Sequence, residues 1–489
     1  MRSHIRFLRR GQVVELGPSC PPTRTVLDYL RLEERSRGTK EGCNEGDCGA
    51  CTVALGTLRG GKLLVEPVNA CILFLAHLDG KELVTVDDLA SDGTLHPVQQ
   101  ALVEHHASQC GFCTPGFVMS LFTLYHGGHA PTRRELEDRI AGNLCRCTGY
   151  RPILDAAASA CSGVAVDRWA ERRAESMAIL ARLDDGSDLF CGTADNFVAR
   201  PGKPETLTRL AARHPDAILV AGATDIGLWV TKQMKSLPKI IMTGGVADLH
   251  QIEEGPDLLS LGAAVTYAEA ESCLGRLDAD VAEVLRRIGS AQVRASGTIG
   301  GNIANGSPIG DMPPMLIALG ARLQMRSGDG SRDLPLEDYF VAYGKQDRQP
   351  GEILWRIDIP RLSANQVFRS YKISKRFDQD ISAVMAAFRF TLEGRRVAAA
   401  RIAFGGMAAT PRRAAGAELA VAGLSLDDTA AWDGATAALA DDFQPISDMR
   451  ATAGYRTEVA QGLLRKALTE IAGMPTSVTR LTGFRRERA

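Results

Sequence analysis

The cysteines in the first third of the chain carry its clearest chemical signal. The segment KEGCNEGDCGACTV holds three cysteines at C-x4-C-x2-C spacing, and a fourth follows in the segment NAC. These four residues are Cys43, Cys48, Cys51 and Cys71. The spacing is typical of a plant-type 2Fe-2S cluster, which is held by four thiolates. It therefore predicts that this loop binds such a cluster.

Glycines alternate with these cysteines, at Gly42, Gly46 and Gly49. Glycine allows φ values that other residues resist, so backbone N–H groups can point at the sulfurs and stabilise the negative charge of a cluster. Zinc is the alternative for any set of four cysteines. Zinc sites usually consist of two C-x2-C knuckles, whereas this loop supplies three ligands within nine residues. The pattern favours iron and sulfide.

A second cysteine group follows in QCGFCTPG and GNLCRCTG. Its members are Cys110, Cys113, Cys145 and Cys147. Taken alone, this spacing is less distinctive and leaves zinc open as the bound metal. Beside the first group it favours a second 2Fe-2S cluster, and two clusters indicate that electrons pass through the chain. The nearby histidines are interpreted as surface or capping residues: His96, His105, His106 and His126.

Length and composition describe an ordinary globular chain. Its 489 residues predict three or four domains, and a net charge of −1 gives no electrostatic reason to expect nucleic acid or a membrane as partner. No apolar run is long enough to span a bilayer. The start MRSHIRFLRRG is interpreted as a β-hairpin and not as a transit peptide. Twelve cysteines without a signal peptide favour metal ligation and a reducing, cytoplasmic location. The cysteines outside the two groups are interpreted as structural: Cys20, Cys161, Cys191 and Cys273.

Two small domains are predicted to position the cysteines. Residues 1–87 alternate short strands with one helix, which begins after Thr25 and ends before Gly38, as in a ferredoxin-like β-grasp. Residues 88–160 predict four short helices with cysteine pairs at their ends. Residues 161–190 are rich in alanine, arginine and aspartate, and indicate a linker that is helical in part.

Two glycine-containing stretches follow the linker. In the first, the strand Ile218–Val220 leads through AGATDIG into a helix that includes Met234. The second is ASGTIGGNIANGSP. Neither is a G-x-G-x-x-G fingerprint, so a Rossmann site is not indicated. Ordinary tight turns are the alternative for either stretch alone, but a diphosphate cofactor held by both would give the clusters a two-electron partner.

The remaining chain predicts a small C-terminal unit, with a hairpin of Val384–Phe390 and Val397–Phe404 in front of alanine-rich helices. We find no Ser/His/Asp triad, zincin motif or P-loop in the sequence. The sequence therefore indicates no hydrolase.

Five segments together resemble the xanthine dehydrogenase group of molybdenum hydroxylases, in particular the small iron-sulfur and flavin subunit of split-chain bacterial enzymes. They are KEGCNEGDCGACTV, QCGFCTPG, GNLCRCTGYRPI, GTIGGNIANGSPIGDMPPML and YKISKRFDQDISAV. The resemblance implies an α+β multidomain fold in four parts. They are a β-grasp 2Fe-2S ferredoxin domain (1–87), a four-helix 2Fe-2S domain (88–160), a vanillyl-alcohol-oxidase-type FAD domain (191–365, after the linker 161–190), and a small C-terminal α+β flavoprotein domain (366–489).

The resemblance also implies contacts with FAD. It assigns the phosphates to the two glycine stretches, the ribitol or ribose side to Asp311, and the border of the flavin to Leu354 and Lys372. The residues of the two stretches are Leu219, Val220, Ala221, Gly222, Ala223, Thr224, Asp225, Ile226, Thr298, Ile299, Gly300, Gly301 and Asn302. Ile288 stands where animal relatives carry a phenylalanine beside the flavin.

Further residues are implied at the two ends of the electron path. Gln109 matches a glutamine that reaches the pterin of the molybdenum cofactor. Tyr343 matches an aromatic residue near the nicotinamide site. The segment 375–380, KRFDQD, matches a loop near the flavin that distinguishes NAD-using from oxygen-using states in animal relatives.

By resemblance, we expect electrons to pass from a molybdenum centre through the two 2Fe-2S clusters to FAD and on to NAD. No molybdopterin domain follows the flavin part before Ala489, so we expect no hydroxylation residues in this chain and a partner molybdopterin subunit, with two copies of each chain in a heterotetramer. The expected substrate is hypoxanthine or xanthine. The alternatives are an aldehyde, carbon monoxide or a nitrogen heterocycle with the same wiring, and, from another class, a zinc-bearing scaffold without catalysis.

Overall fold

The computed structural model describes residues 1–161 and 163–481. The chain forms two compact units. The first comprises Met1–Ala247 together with Gly289–Gly297, and the second comprises Asp248–Ile288 together with the chain from Thr298 onward. Within the described residues, no helix is both long and apolar enough to cross a bilayer.

A five-stranded sheet of order β2-β1-β5-β3-β4 forms the N-terminal domain. Its strands are β1 (Ile5–Arg9), β2 (Gln12–Leu16), β3 (Thr52–Arg59), β4 (Lys62–Asn69) and β5 (Glu82–Val84). Strands β1 and β2 form the predicted hairpin, and β1 pairs in parallel with β5. Helix α1 (Val26–Asp28) continues as a π-helix over Tyr29–Glu33. Thr25 caps α1 as predicted, but the helical segment ends before the predicted stop at Gly38.

The second domain consists of four helices, one of which is buried at its centre. They are α2 (Pro97–Glu104), α3 (Thr114–Tyr125), α4 (Arg133–Ile140) and α5 (Arg151–Ala160). Helix α3 is buried from Gly116 to Tyr125 and forms the centre of the domain. A capping box between Thr132 and Glu135 starts α4. The four predicted helices are therefore present.

The linker packs against the first domain. It contains α6 (Arg168–Glu171) and α7 (Arg173–Leu183). Leu180 and Leu183 of α7 pack in one cluster with Leu8 of β1 and Leu63 of β4. Burial of these side chains fixes the linker on the sheet.

A four-stranded sheet of order β6-β7-β9-β8 completes the first unit. The elements are β6 (Leu189–Gly192), β7 (Phe197–Arg200), α8 (Pro204–Arg213), β8 (Ile218–Val220), α9 (Ile226–Thr231) and β9 (Lys239–Met242). Strand β8 leads through the glycine turn into α9, as predicted. The helix ends at Thr231, however, and Met234 lies beyond it with a positive φ and 79% exposure.

The second unit begins with a five-stranded antiparallel sheet of order β10-β11-β16-β12-β13. The elements in chain order are β10 (Ile252–Glu254), β11 (Leu258–Gly262), α10 (Tyr267–Gly275), α11 (Ala279–Arg286), α12 (Ala291–Ser296), α13 (Ile299–Asn305), α14 (Met312–Leu319), β12 (Arg322–Arg326), β13 (Ser331–Pro335), β14 (Phe340–Ala342), β15 (Lys345–Gln346) and β16 (Ile353–Pro360). Of these, α12 belongs to the first unit.

The C-terminal part of the second unit is a sheet covered by helices. Its elements are β17 (Gln366–Ile373), β18 (Val384–Glu393), β19 (Arg396–Gly405), β20 (Arg412–Arg413), α15 (Ala415–Val421), α16 (Trp432–Asp442), α17 (Ala453–Ile471) and α18 (Thr476–Thr479). Strands β18 and β19 form the predicted hairpin, and Gly394 in its turn has φ +59°. The core between sheet and helices contains Phe388, Phe404 and Leu464.

Candidate functional site

The first cysteine group forms two pairs of thiols. Cys43 hydrogen-bonds with Cys48, which lowers the pKa of the Cys43 thiol to about 5 and raises the pKa of Cys48. Cys71 hydrogen-bonds with Cys51, and this bond together with burial raises the pKa of Cys71. Backbone N–H groups of Asp47 and Cys48 donate to the Cys43 sulfur at 3.4 and 3.3 Å. The loop therefore surrounds its sulfurs with amide donors, as a cluster requires.

Asn69 at the end of β4 supports this loop from behind. Its Nδ2 donates to the carbonyl oxygen of Gly46 at 2.8 Å. Its Oδ1 lies 3.8 Å from the sulfur of Cys51 and accepts from that thiol. A Cβ at Gly46, whose φ is +78°, would lie 2.5 Å from Ile72. Only glycine fits this close approach in the left-handed conformation.

The second cysteine group also forms two pairs. Burial and a hydrogen bond with Cys145 raise the pKa of the Cys113 thiol to about 12. A hydrogen bond with Cys110 raises the pKa of the Cys147 thiol. The N–H of Cys145 donates to the hydroxyl of Tyr150 at 2.9 Å, and its sulfur lies 3.2 Å from the hydroxyl of Thr148. Cys110 and Cys147 are exposed, so this group faces the surface.

The pairing fits 2Fe-2S clusters better than zinc. A tetrahedral zinc with ligands at about 2.3 Å would bring four sulfurs to within about 3.8 Å of one another. Among the described residues, no three of these thiols lie within 4.8 Å of each other. Two pairs in each group instead provide two thiolates for each of two irons. None of the twelve cysteines forms a disulfide.

The two cysteine loops are hydrogen-bonded to each other. The N–H of Leu144 donates to the carbonyl oxygen of Cys48 at 2.9 Å. The side chain of Asn143 donates to the carbonyl oxygen of Gly49 at 3.0 Å and to the hydroxyl of Thr52 at 3.2 Å. A Cβ at Gly49 would lie 2.1 Å from the carbonyl oxygen of Gly142, so glycine is required for this contact. Backbone bonds thus connect a predicted ligand of one cluster with the neighbour of a ligand of the other.

The first predicted flavin stretch lies against the first cysteine loop. A Cβ at Gly227 would lie 2.5 Å from the carbonyl oxygen of Ile72, the residue after Cys71. The side chain of Lys232, just beyond α9, donates to the carbonyl oxygen of Cys43. His77 Nε2 lies 2.8 Å from the carbonyl oxygen of Ala221. Burial lowers the pKa of His77 to about 4, so the ring is neutral at neutral pH.

A second close contact joins this stretch to α12. A Cβ at Gly222 would lie 1.8 Å from the carbonyl oxygen of Ser296. Ala223 has φ +58°, which is unusual for a residue with a side chain. Gly297 and Thr298 follow Ser296 directly in the sequence. The first glycine stretch therefore contacts the residues that immediately precede the second.

The second glycine stretch is tightly packed and leaves one buried polar atom without a partner. The hydroxyl of Thr298 accepts from Gly301 N–H at 2.9 Å and caps α13. A Cβ at Gly300 would lie 2.4 Å from the carbonyl oxygen of Ala263. Asn302 Oδ1 is buried and has no hydrogen-bond partner among the described residues. An orphaned buried oxygen in such a loop fits a ligand group that donates to it.

A buried charged group lies in the same unit. Lys372 donates to Asp311 Oδ2, and Ser382 donates to Asp311 Oδ1. Lys372 Nζ also donates to the hydroxyl of Ser382 at 3.0 Å. The side chains of Lys372 and Asp311 are 1% and 8% exposed. Asp311 and Lys372, predicted separately, therefore form one hydrogen-bonded set with Ser382, which was not among the predicted site residues.

The remaining predicted residues differ in exposure. Leu354 is buried in β16, Ile288 is half-buried after α11, and Tyr343 is 75% exposed in the turn between β14 and β15. Phe377 of segment 375–380 is held between two arginines. Its ring lies 5.4 Å from the guanidinium of Arg286 and 4.4 Å from that of Arg287.

A histidine–aspartate group joins the linker to the four-helix domain. Nε2 of His96 and Nε2 of His126 lie 2.8 and 2.9 Å from Asp167 Oδ2. Asp167 Oδ1 accepts from Ala170 N–H and caps α6. His96 Nδ1 accepts from Val98 N–H, so its Nε2 carries the proton. The group is a hydrogen-bonded clamp, and His96 is a capping residue as predicted.

Three family models match the chain. The FAD binding domain in molybdopterin dehydrogenase matches residues 193–362, a [2Fe-2S] binding domain matches residues 85–158, and the CO dehydrogenase flavoprotein C-terminal domain matches residues 369–471. The chain carries the 2Fe-2S and FAD domains of a molybdenum hydroxylase. The predicted α+β multidomain fold class is confirmed, while the domain boundaries and individual ligands stay predictions.

Relatives and solved structures agree with these domains. Xanthine dehydrogenase of Emericella nidulans is 31% identical over 94% of this chain, and xanthine dehydrogenase/oxidase of Rattus norvegicus is 32% identical over 83%. The chain covers 38% and 34% of their lengths. A chain of reconstituted CO dehydrogenase from Oligotropha carboxidovorans is 29% identical, with a TM-score of 0.52, over 56% of this chain and 96% of that one. Quinoline 2-oxidoreductase from Pseudomonas putida 86, at 24% identity and a TM-score of 0.52, shares the fold over 57% of this chain and 97% of that one.

Proposed function

We propose that this chain is the electron-transfer subunit of a xanthine dehydrogenase. Electrons from the oxidation of hypoxanthine or xanthine at a partner molybdopterin subunit pass through the Cys110–Cys147 cluster, then the Cys43–Cys71 cluster, to FAD and on to NAD. The xanthine dehydrogenase relatives, which match 83–94% of the chain, support this substrate class.

One observation carries the proposal. Within the first unit, the second cysteine loop is hydrogen-bonded to the first through Leu144 and Cys48, and the first loop contacts the flavin stretch through Lys232 and Ile72. The order of these contacts is the order in which electrons would travel. Cysteine loops and a flavin stretch in direct succession support electron transfer through the chain, and the xanthine dehydrogenase relatives support the purine substrate.

The chain's own residues would bind and orient the flavin. FAD, when bound, supplies the exchange between single electrons and a hydride. By resemblance the glycine stretches hold its phosphates, and Asn302 Oδ1 offers an unused acceptor to a hydroxyl or N–H group of the ligand. The Asp311–Lys372 pair is already neutralised, so it can hydrogen-bond a ligand without adding net charge to a buried site.

Cationic side chains near segment 375–380 favour NAD as the acceptor: Lys375 and Arg376 are exposed, and Arg286 and Arg287 are half-buried. Arg286 and Arg287 flank Phe377, and Lys375 and Arg376 follow in segment 375–380. Guanidinium and ammonium groups bind the diphosphate of a dinucleotide. Tyr343, at 75% exposure, offers an aromatic face for a nicotinamide. These features support the expectation drawn from the resemblance.

The exposed second cysteine group supports a partner subunit. Gln109, Cys110 and Cys147 are exposed, and two large apolar side chains beside them, Phe112 and Leu144, are 48% and 64% exposed. Exposed apolar groups around a redox centre favour a docked protein. An obligate interface of this kind buries more than about 2,000 Å². We propose a heterotetramer with two copies of each chain in a reducing cytoplasm.

The competing proposal is that the chain serves a molybdenum hydroxylase with another substrate and the same order of cofactors. The C-terminal family match and the likeness to CO dehydrogenase favour it. The substrate could then be carbon monoxide, an aldehyde or a nitrogen heterocycle. Both proposals predict the same cofactors, so only the substrate separates them.

The experiment is to purify the chain with its partner and to assay xanthine, hypoxanthine, benzaldehyde, quinoline and carbon monoxide with NAD. Turnover of the purines supports the leading proposal, and turnover of another substrate alone supports the competitor. The chain purified by itself should bind FAD and oxidise NADH with an artificial dye, but should not oxidise xanthine. A visible spectrum without iron-sulfur and flavin bands in fully loaded protein would contradict both proposals.

A further inference from the structure

One buried side chain contacts the supports of both cysteine loops. Gln292 lies in α12 and is 1% exposed. Its Nε2 lies 3.1 Å from the hydroxyl of Thr52, 3.1 Å from the hydroxyl of Ser120 and 3.1 Å from Asn143 Oδ1. Thr52 follows Cys51 directly, and Asn143 precedes Cys145 by two residues. Gln292 thus contacts a neighbour of each predicted cluster.

The network around Gln292 fixes the direction of the Asn143 side chain. Asn143 Oδ1 accepts from Ser120 at 2.6 Å as well as from Gln292. This leaves Asn143 Nδ2 pointing at Gly49 and Thr52, on the first loop. All four side chains are buried, so each bond operates in a medium of low dielectric where its geometry is well defined.

Close glycine packing leaves little freedom at this point. A Cβ at Gly116 would lie 2.2 Å from the carbonyl oxygen of Gly49, and a Cβ at Gly142 would lie 2.0 Å from Gln292 Oε1. The loops and α3 therefore meet backbone to backbone. If the Gln292 or Asn143 side chain changes direction in this space, one of the two cysteine loops must move.

The acceptor end of Gln292 is left unsatisfied. Its Oε1 is buried and has no hydrogen-bond partner within the described residues. A buried acceptor without a partner costs about 1–3 kcal/mol. The bonds from Nε2, whose two protons are shared among three acceptors, offset that cost. What the residue provides is therefore the direction of these bonds.

We propose that Gln292 is a positioning residue for electron transfer between the two clusters. It acts through Asn143 to hold the second cysteine loop against the first, and so maintains the Leu144 N–H bond to the carbonyl oxygen of Cys48. That bond closes a continuous path of bonds from the Cys145 sulfur to the Cys48 sulfur. This inference rests on the proposed function, because it assumes that electrons move between the two loops.

The test uses the full chain loaded with iron, sulfide and FAD, and compares wild type with Gln292→Leu, Ser120→Ala and the control Ser260→Ala. Ser260 is a buried residue of β11 that donates to Asp358 at 2.6 Å and lies in a sheet without predicted cluster ligands. The first readout is the magnetic interaction between the two fully reduced clusters in electron paramagnetic resonance, since it depends on their separation. The second is the rate at which each cluster is reduced after mixing with NADH.

We expect Gln292→Leu to retain both clusters, to alter the magnetic interaction, and to slow reduction of the Cys110–Cys147 cluster roughly tenfold, the scale typical for loss of an outer-sphere partner. Reduction of the Cys43–Cys71 cluster should stay normal, because it receives electrons first from the flavin. Ser120→Ala should change both readouts in the same direction by less, and Ser260→Ala should change neither.

Unchanged interaction and unchanged rates in a Gln292→Leu protein that retains both clusters would overturn the inference. If Gln292→Leu loses its clusters, the result for Ser120→Ala decides whether the inference holds. That variant removes one hydrogen-bond partner of Gln292 and leaves the Gln292 carboxamide in place. Wild-type protein that takes up only two irons contradicts the proposed function instead. The two failures are therefore distinguishable from the wild-type sample alone.

Discussion

At the scale of single residues, the eight predicted ligands differ in chemistry from the other cysteines. Each predicted ligand has a second predicted ligand as its hydrogen-bonding partner. Cys273, by contrast, donates to the carbonyl oxygen of Ala270 within its own helix, and burial raises the pKa of its thiol. Isolated buried thiols of this kind are chemically inert.

Replacing Cys71 with serine should therefore remove one cluster and leave the other. A hydroxyl is a poor substitute for a soft thiolate, so the loaded variant should hold about half the iron of wild type. Chemical iron analysis and electron paramagnetic resonance measure this. Cys273→Ser should keep all its iron, and equal iron loss in both variants would refute the assignment.

The sequence was sufficient to predict the cysteine ligands, because the spacing of the first group is typical of a 2Fe-2S cluster and the second group was interpreted beside it. It was not sufficient for the residues around them. Asn69, Asn143 and Gln292 reach the cysteine loops from a strand end, a loop and a distant helix, and polar residues at such places have no characteristic spacing. Only the folded chain brings them together.

At the scale of elements, the helix starts and the hairpins were predictable, because caps and turns depend on local chemistry. Thr132 with Glu135 and the turn at Gly394 are examples. Element ends were less predictable. The helix after Thr25 stops at Glu33 and α9 stops at Thr231, since their ends depend on tertiary contacts that the sequence does not display.

The turn between β8 and α9 gives a prediction of its own. Gly222→Ala would place a Cβ 1.8 Å from the carbonyl oxygen of Ser296, and both partners are backbone, so the turn must move. We expect the variant to bind FAD at least tenfold more weakly while retaining its iron, a loss of about 1.4 kcal/mol or more. Titration of FAD into flavin-free protein measures the affinity.

The matched control is Gly328→Ala, because a Cβ at Gly328 meets no atom within 4 Å. Normal FAD affinity in Gly222→Ala would show that this turn does not hold the flavin.

The same turn should make the chain sensitive to acid through His77. Burial lowers the pKa of His77 from 6.5 to about 4. Below pH 6.5 His77 is protonated in the unfolded chain but stays neutral in the folded chain. The free energy of unfolding therefore falls as pH decreases toward 4, by up to roughly 3 kcal/mol. Above pH 6.5 this effect is absent. In the His77→Gln variant, the midpoint temperature of thermal unfolding should fall less between pH 7.5 and pH 5 than it does in wild type.

His106→Asn is the comparison, because His106 is exposed. Its midpoint temperature should fall with pH as much as that of wild type. A His77→Gln protein that loses as much stability in acid as wild type would assign the pH dependence to other groups.

At the scale of the whole molecule, the main expectation is that this chain transfers electrons and that a partner subunit oxidises the substrate. Cys110 and Cys147 of the second cysteine group are exposed, whereas Cys51 and Cys71 of the first cysteine group are buried. An exposed centre can exchange electrons with a second protein, and a buried one is confined to neighbours within its own chain. This asymmetry supports the proposed direction of the electron path.

Gln109 tests that direction. It is exposed next to Cys110, and no hydrogen bond within the described residues holds its side chain, so its removal should leave this chain intact. In the assembled enzyme, Gln109→Ala should slow xanthine-to-NAD turnover on the order of tenfold, as loss of an outer-sphere contact typically does. NADH-to-dye activity should stay near normal, because that route uses the flavin alone. Gln100→Ala, which changes an exposed glutamine of the same domain that is bonded to Glu104, should affect neither activity. Equal loss of both activities in Gln109→Ala would mean that Gln109 supports the fold of the domain and not the junction with the molybdenum subunit.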